Sequence, residues 1–134
     1  MVNNTFVRSR GLGAVRRVGN NRRIELHNNA YHSNQSAAIR ATNNGDDFTI
    51  SHEAVFGSTL LCAGGCGSAM IQMPTIVFEV DLRFANALGV TRADFTPRPG
   101  SPLVDSGLDL VDLNGSAPGR FNGAGPERGA IELP

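Results

Sequence analysis

The chain contains no lysine and no tryptophan, and tyrosine occurs only once. All 12 basic side chains are therefore arginines, and 12 Asp and Glu side chains bring the formal net charge to zero. A neutral chain offers no general electrostatic attraction for nucleic acid or for an anionic membrane surface. No apolar run is as long as a membrane-spanning helix, and the first residues show no signal-peptide pattern. We therefore expect no nucleic-acid partner and no membrane span.

What the sequence does contain is an internal repeat. Asn3-Asn4-Thr5-Phe6 recurs 25 positions later as Asn28-Asn29-Ala30-Tyr31, and Ala14-Val15-Arg16 recurs 24 positions later as Ala38-Ile39-Arg40. Repeats of this length form stacked units that bury their apolar faces only against each other. Because the chain already begins with such a unit, we interpret it as a fragment of a longer coil or as a very short coil with an open first rung.

Aromatic residues follow the same repeat. Steps of 25 residues join Phe6 to Tyr31 and Tyr31 to Phe56, which predicts one column of three rings inside the protein. Other equivalent positions lie 24 residues apart. We therefore expect one extra residue to be absorbed by a bulge between Ile50 and Phe56.

The segments between Asn-rich turns are typical of short strands. Phe48–Ser51 and Ile76–Leu82 alternate apolar and polar residues, as half-buried strands do, and Asn is common in tight turns. The pattern predicts an all-β fold, a parallel β-helix of about three rungs over residues 1–94 with a Gly-rich loop at 57–74. The proline-rich residues 95–134 predict an irregular cap of the same domain that wraps the end of the coil.

Three motifs near the C-terminus, together with the Asn-Asn-Thr-Phe unit, point to a known group of proteins. They are Asp94–Gly107 (DFTPRPGSPLVDSG), Asp112–Gly115 (DLNG) and Glu127–Glu132 (ERGAIE). The chain resembles, over nearly its whole length, the C-terminal portion of bacterial extracellular right-handed parallel β-helix proteins of the pectate-lyase-like and choice-of-anchor types. The resemblance implies a short right-handed parallel β-helix, a secreted or cell-surface location and an association with carbohydrate. It transfers no catalytic residue to this chain, since fold does not determine function.

Three functions follow as alternatives, and whether the protein is an enzyme stays open among them. The first is a carbohydrate-associated β-helix module, acting by binding or as a fragment of a polysaccharide lyase or hydrolase. The second is a small stand-alone hydrolase, with or without a metal ion. The third is the structural end-cap of an adhesin. The first function implies a polysaccharide ligand, the second a polysaccharide or small-molecule substrate, and the third no ligand.

Histidines supply the candidate chemistry. His27 and His52 stack directly if the register is 25, whereas a register of 24 places Asn28 over His52 and Asn29 over Glu53. Stacked imidazoles about 4.8 Å apart can share a metal, and a nearby carboxylate can act as ligand or general base. The alternative is a surface ladder of stacked polar side chains. The candidate catalytic residues are His27, His52 and Glu53, and the candidate ligands of a divalent metal, zinc or calcium, are His27, His32 and His52.

Two cysteines, Cys62 and Cys66, lie in the Gly-rich stretch. In a secreted protein this spacing favours a local disulfide, while free thiols or half of a zinc site are the alternatives.

Other charged residues leave two further possibilities. Glu79 and Asp81 share one face of a predicted strand and could bind calcium or act as acid and base, or simply face solvent. The arginines concentrated in the first 23 residues could hold a carboxylate or a sulfate, or form a solvated face.

An open first rung also predicts self-association. Burying its apolar cross-section would be favourable at roughly 25 cal/mol per Å². We therefore expect a closed symmetric homodimer that forms through the N-terminal ends.

Overall fold

The structure is a computed structural model that describes residues 1–11, 13–17, 23–41, 47–59, 61–64, 70–110 and 121–131. Short strands dominate, and the helical segments within these ranges are 3₁₀ turns at Met73–Thr75 and Arg92–Phe95. The strands are Thr5–Val7 (β1), Val15–Arg17 (β2), Arg23–His27 (β3), Ala30–His32 (β4), Ile39–Ala41 (β5), Asp47–Ser51 (β6), Ala54–Phe56 (β7), Cys62–Gly64 (β8), Met70–Ile71 (β9) and Val77–Phe78 (β10).

The strands form three parallel sheets with the orders β1-β4-β7-β10, β2-β5-β8 and β3-β6-β9. Each passage of the chain therefore contributes one strand to every sheet before the next passage begins. We call these passages repeat 1 (β1–β3), repeat 2 (β4–β6) and repeat 3 (β7–β9). The prediction of an all-β fold is confirmed, because short strands in parallel sheets make up most of the described secondary structure.

The predicted Gly-rich loop at 57–74 is only partly a loop. It contains β8, which pairs with β5, and β9, which pairs with β6. Pairing with a preformed neighbouring strand outweighs the weak strand preference of glycine. Residues 60 and 65–69 of the predicted loop lie outside the described part of the chain.

The register corrects the predicted aromatic column. Phe6 lies opposite Tyr31, and their rings stack with centroids 5.2 Å apart. Tyr31, however, lies opposite Val55, whereas Phe56 lies opposite His32. Because side chains alternate between the two faces of a strand, this one-residue difference moves Phe56 to the outer face. The prediction that all three rings share one column was wrong.

The extra residue also lies elsewhere than predicted. Residues 50–56 are all described, and the step is 24 both before this stretch, between β3 and β6, and after it, between β4 and β7, so the stretch holds no bulge. Between repeats 1 and 2 the step changes from 25 at Thr5 and Ala30 to 24 at Val15 and Ile39. The loop that joins β1 to β2 therefore contains the extra residue. An insertion there leaves the pairing of the flanking strands unchanged.

The main apolar core fills the space between the three sheets. It is built from inward side chains of all three repeats, which are Leu26, Tyr31, Ala38, Ile39, Ile50, Val55 and Leu61. A second cluster lies on the outer face of sheet β1-β4-β7-β10, where Ala30 and Ala54 pack against Leu82, Phe84 and Leu103. The chain after β10 thus covers the outside of this sheet.

The described part of the predicted cap lies along the side of the repeats. We call residues 126–131 the C-terminal strap. Arg128 Nη1 donates a hydrogen bond to the backbone carbonyl of Glu53, just before β7, and the Ala130 N–H donates to Thr5 Oγ1 in β1. The strap therefore crosses from repeat 3 to repeat 1. No helix in the described residues has the length and apolar character needed to cross a membrane.

Candidate functional site

The candidate site lies at the corner where the chain leaves β3 or β6 and turns into the next sheet. Asn3, Asn28 and His52 occupy this position in successive turns, with φ of 53°, 56° and 52°. This left-handed region is strained for most residues, but Asn and His adopt it more often than others. The step of 24 therefore applies at this corner, and His52 aligns with Asn28 rather than with His27.

His27 lies opposite Ser51 at the ends of β3 and β6. Its Nδ1 is 2.7 Å from Ser51 Oγ, and only 8% of His27 and 1% of Ser51 are exposed. Burial lowers the pKa of His27, and the nearby N-terminus lowers it further, while Glu25 acts in the opposite direction. The ring is therefore neutral at pH 7, and with its proton on Nε2 it accepts the hydrogen bond from Ser51.

His52 lies at the same corner but is only half-buried. Its pKa is lowered by burial first and then by the charges of Arg128 and His27. The structure thus brings His27 and His52 close enough for their charges to interact. The neutral forms of both rings dominate at pH 7, so either could accept a proton.

The third predicted catalytic residue, Glu53, is placed differently. Its side chain is fully buried, and its Oε1 accepts a hydrogen bond of 3.0 Å from Asn29 Nδ2. The carboxyl therefore belongs to an interior network rather than to the surface of the corner. A catalytic role for His27, His52 and Glu53 stays a prediction.

The predicted metal ligands His27, His32 and His52 do not come together. His32 packs between the rings of Phe56 and Phe84 on the outer face of sheet β1-β4-β7-β10, and burial lowers its pKa. Among the described residues, which include all three histidines, no group of three His, Cys, Asp or Glu side chains is placed to hold a metal ion. The physical reason is that His27 and His32 lie on different sheets, separated by the corner.

Glu53 ends a ladder of interior amide side chains. Asn4 Nδ2 donates a 3.0 Å hydrogen bond to Asn29 Oδ1, and Asn29 in turn donates to Glu53. Repeat 3 thus carries a carboxyl group where repeats 1 and 2 carry an amide. Among the described residues, Glu53 Oε2 and the buried hydroxyl of Tyr31 have no hydrogen-bonding partner.

Burial raises the pKa of Glu53 to about 8. The hydrogen bond from Asn29, the nearby Tyr31 hydroxyl and the charge of Arg128 act in the opposite direction without overcoming burial. The Tyr31 hydroxyl affects the carboxyl although its geometry falls short of a hydrogen bond. Glu53 is therefore mainly protonated at pH 7, which avoids an unpaired charge in the core.

Two members of the corner, Ser51 and Arg128, were missed by the sequence analysis. Ser51 could have been found by applying the 24-residue step to His27. Arg128 lies in the C-terminal strap, and only the tertiary fold brings its guanidinium to Glu53, where it donates to the backbone carbonyl at 3.1 Å.

The remaining predicted residues lie elsewhere. Cys62 is disulfide-bonded, and Cys66 lies outside the described residues, so their pairing stays a prediction. Glu79 and Asp81 follow β10 rather than sharing a strand, and Asp81 Oδ1 accepts the backbone N–H of Arg83. Asp81 therefore stabilises a turn.

Comparison of this chain with protein-family models, curated proteins and solved structures finds no match. The resemblance to extracellular β-helix proteins therefore stays an expectation.

The protonated state of Glu53 predicts an unusual loss of stability at alkaline pH. Between the ordinary value of 4.5 and about 8, the folded protein keeps a proton that the unfolded chain has released. Stability therefore falls as pH rises through this range, by up to about 1.4 kcal/mol per pH unit. Glu53→Gln keeps the acceptor for Asn29 and removes the titration. Urea unfolding at pH 5, 6.5 and 8 should show a flatter pH dependence for the variant.

The exposed residue Glu79 supplies the matched control. Glu79→Gln makes the same substitution at an exposed position and should leave the pH dependence of the wild type intact. An unchanged pH dependence in Glu53→Gln would show that the buried carboxyl does not keep its proton.

Proposed function

We propose that this chain is a short right-handed parallel β-helix module that associates with carbohydrate. The observation that carries the proposal is the in-register parallel pairing of three repeats in three sheets. Crossover connections between parallel strands are right-handed in about 98% of cases, which supports the handedness. In such a stack, outward side chains of equivalent residues form columns at strand spacing, and these suit an extended polymer.

The outer face of sheet β3-β6-β9 is the proposed carbohydrate surface. Ile24, Leu26 and Ile50 point into the core, so the residues between them point outward. Glu25 lies opposite Thr49, and Arg23 forms an exposed ion pair of 2.6 Å with Glu25. These polar groups offer donors and acceptors to sugar hydroxyls, whereas the outer face of sheet β1-β4-β7-β10 is already covered.

A secreted or cell-surface location forms part of the proposal. The disulfide at Cys62 supports it, because disulfides persist mainly in oxidising compartments outside the cytosol.

The carbohydrate proposal predicts retention on polysaccharide. The purified protein should be retained by at least one member of a panel of insoluble neutral and acidic polysaccharides. Thr49→Arg places a bulky side chain in the centre of the proposed surface and should weaken binding of a neutral polysaccharide about tenfold, equivalent to ~1.4 kcal/mol. The measurement is the free fraction as a function of polysaccharide concentration.

Val90→Arg is the matched control for this experiment. Val90 is 85% exposed on the segment that covers the other sheet, so the same substitution there should leave binding unchanged. If the panel retains no wild-type protein, the carbohydrate proposal fails and a structural end-cap becomes the better account.

A second candidate function, a small hydrolase, is favoured by the contact between Ser51 and His27. In this mechanism Ser51 Oγ attacks an ester carbonyl carbon while its proton passes to His27 Nδ1. The C–O bond to the alcohol breaks, and the alcohol leaves with that proton. Water then cleaves the acyl-serine bond, which releases the acid and restores Ser51. His52 and Arg128, at the same corner, would stabilise the developing negative charge.

The hydrolase candidate predicts covalent labelling of Ser51. A fluorophosphonate should add one phosphonyl group to the wild type, which intact-mass spectrometry measures, and Ser51→Ala should abolish the addition. His27→Ala should slow labelling by about 100-fold, because general-base catalysis contributes on this scale.

The exposed residue Ser33 is the control for the labelling experiment, and Ser33→Ala should react as the wild type does. Absence of labelling in the wild type, where the pair is nearly buried, would assign the Ser51–His27 contact to stability alone.

We also propose that repeat 1 associates with a second copy of the chain. β1 and β2 are edge strands in the described sheets, and the half-buried Phe6 and Val15 end the core on this side. Unpaired edges and partly covered apolar side chains favour such an association.

The association predicts twice the protomer mass in light scattering at micromolar concentration. The same mass should fall to that of one protomer on dilution, because association depends on concentration. A single-protomer mass at the highest concentration tested would contradict the homodimer.

A further inference from the structure

The outer face of sheet β2-β5-β8 carries two arginines in one column. Val15 and Ile39 pack into the core, so the residues that follow them point outward. Arg16 lies directly opposite Arg40 in the register of β2 and β5. The third position of the column is Ala63 in β8, which has a small side chain.

The pairing of Arg16 with Arg40 is unusual, because β-sheets disfavour like charges on directly opposite residues. Neighbouring strands lie about 4.8 Å apart, and like charges directly opposite each other are destabilising. Among the described residues, Arg23 has an ion-pair partner in Glu25, whereas neither Arg16 nor Arg40 has one. Two arginines on paired strands, with no ion-pair partner in the part of the chain that the structure describes, therefore create a site of positive potential on a chain of zero net charge.

Gly13, which precedes β2, lies close to the backbone and Cβ of Arg40. A Cβ at Gly13 would lie 3.1 Å from Arg40 Cβ and 3.3 Å from the Arg40 nitrogen, which is tighter than ordinary contacts. The glycine thus lets the chain before β2 pack against the stem of Arg40. Arg40 is half-buried as a result, while Arg16 is exposed. Because packing restricts the aliphatic part of the Arg40 side chain, this side chain loses less conformational entropy on binding and is partly preorganised for a ligand.

We propose that Arg16 and Arg40 form a recognition site for the carboxylate or sulfate groups of an acidic linear polysaccharide. The planar guanidinium matches both groups with two parallel hydrogen bonds, and each bond to a charged group is stronger than a neutral one. An anion between the two arginines also removes their mutual repulsion. The polymer rests on the carbohydrate function proposed above, but the anion site itself does not.

The test compares charge-matched variants in titration calorimetry. Arg16→Gln and Arg40→Gln each remove one positive charge from the column, and Arg92→Gln removes one from the exposed 3₁₀ turn at Arg92–Phe95. The ligands are inorganic sulfate, a sulfated polysaccharide, a polyuronate, a neutral polysaccharide and a single-stranded oligonucleotide. Each column variant should bind the anionic polymers about tenfold more weakly. Arg92→Gln should bind them as the wild type does, and thermal unfolding of every variant confirms that it is folded.

Gly13→Ala provides a variant without any change in charge. The added methyl group displaces Arg40 and should weaken binding of the anionic polymers, while neutral polysaccharide binds as before. Equal losses in Arg92→Gln and in the column variants would overturn the site, because net charge alone would then explain binding. Unchanged affinity in the double variant Arg16→Gln/Arg40→Gln would also overturn it.

The remaining outcomes separate the site from the function on which its polymer rests. Sulfate binding that is lost in the double variant, with no polysaccharide bound by the wild type, would support the anion site and overturn the carbohydrate function. Tighter binding of the sulfated polymer or of the polyuronate would identify which anion the column prefers. Tighter binding of a single-stranded oligonucleotide than of either polymer would overturn the choice of polysaccharide.

Discussion

Parallel hydrogen bonding between successive repeats is the constraint on which the rest of this structure depends. It requires each strand to lie beside its equivalent one passage earlier, and the side chains of equivalent residues are then neighbours at strand spacing. Phe6 contacts Tyr31, Ser51 contacts His27, and Asn29 links Asn4 to Glu53 for this one reason. A single register thus determines both the composition of the core and the pairs of side chains available for chemistry.

The same constraint explains what could be predicted from the sequence. Alternating apolar residues and recurring Asn pairs were sufficient for the all-β fold and for the stacking of Phe6 on Tyr31. Whether the step is 24 or 25 depends on how many residues a loop absorbs, and a loop without paired strands leaves no periodic signal. The side chain of Phe56 was therefore assigned to the wrong face of its strand, because a shift of one residue in the register reverses the direction of a strand side chain.

The corner was predictable only in part for a related reason. Two registers were considered for His27 and His52, and the structure has the step of 24, which places Ser51 opposite His27. The direction of each side chain follows from this register and from the left-handed backbone at His52. Arg128 reaches the corner through the C-terminal strap, whose path over sheet β1-β4-β7-β10 depends on tertiary packing. Glu53 occupies a position that holds Asn in the other repeats, and only its surroundings show that it is buried and protonated at neutral pH.

The C-terminal strap has a consequence for how the molecule comes apart. In most stacked-repeat proteins each unit contacts only its neighbours, so an end unit can fray while the others stay folded. Here one segment joins Thr5 of the first passage to Glu53 of the third. Detaching either end of the stack requires releasing this lateral brace, so the three passages are expected to open together in a single cooperative transition.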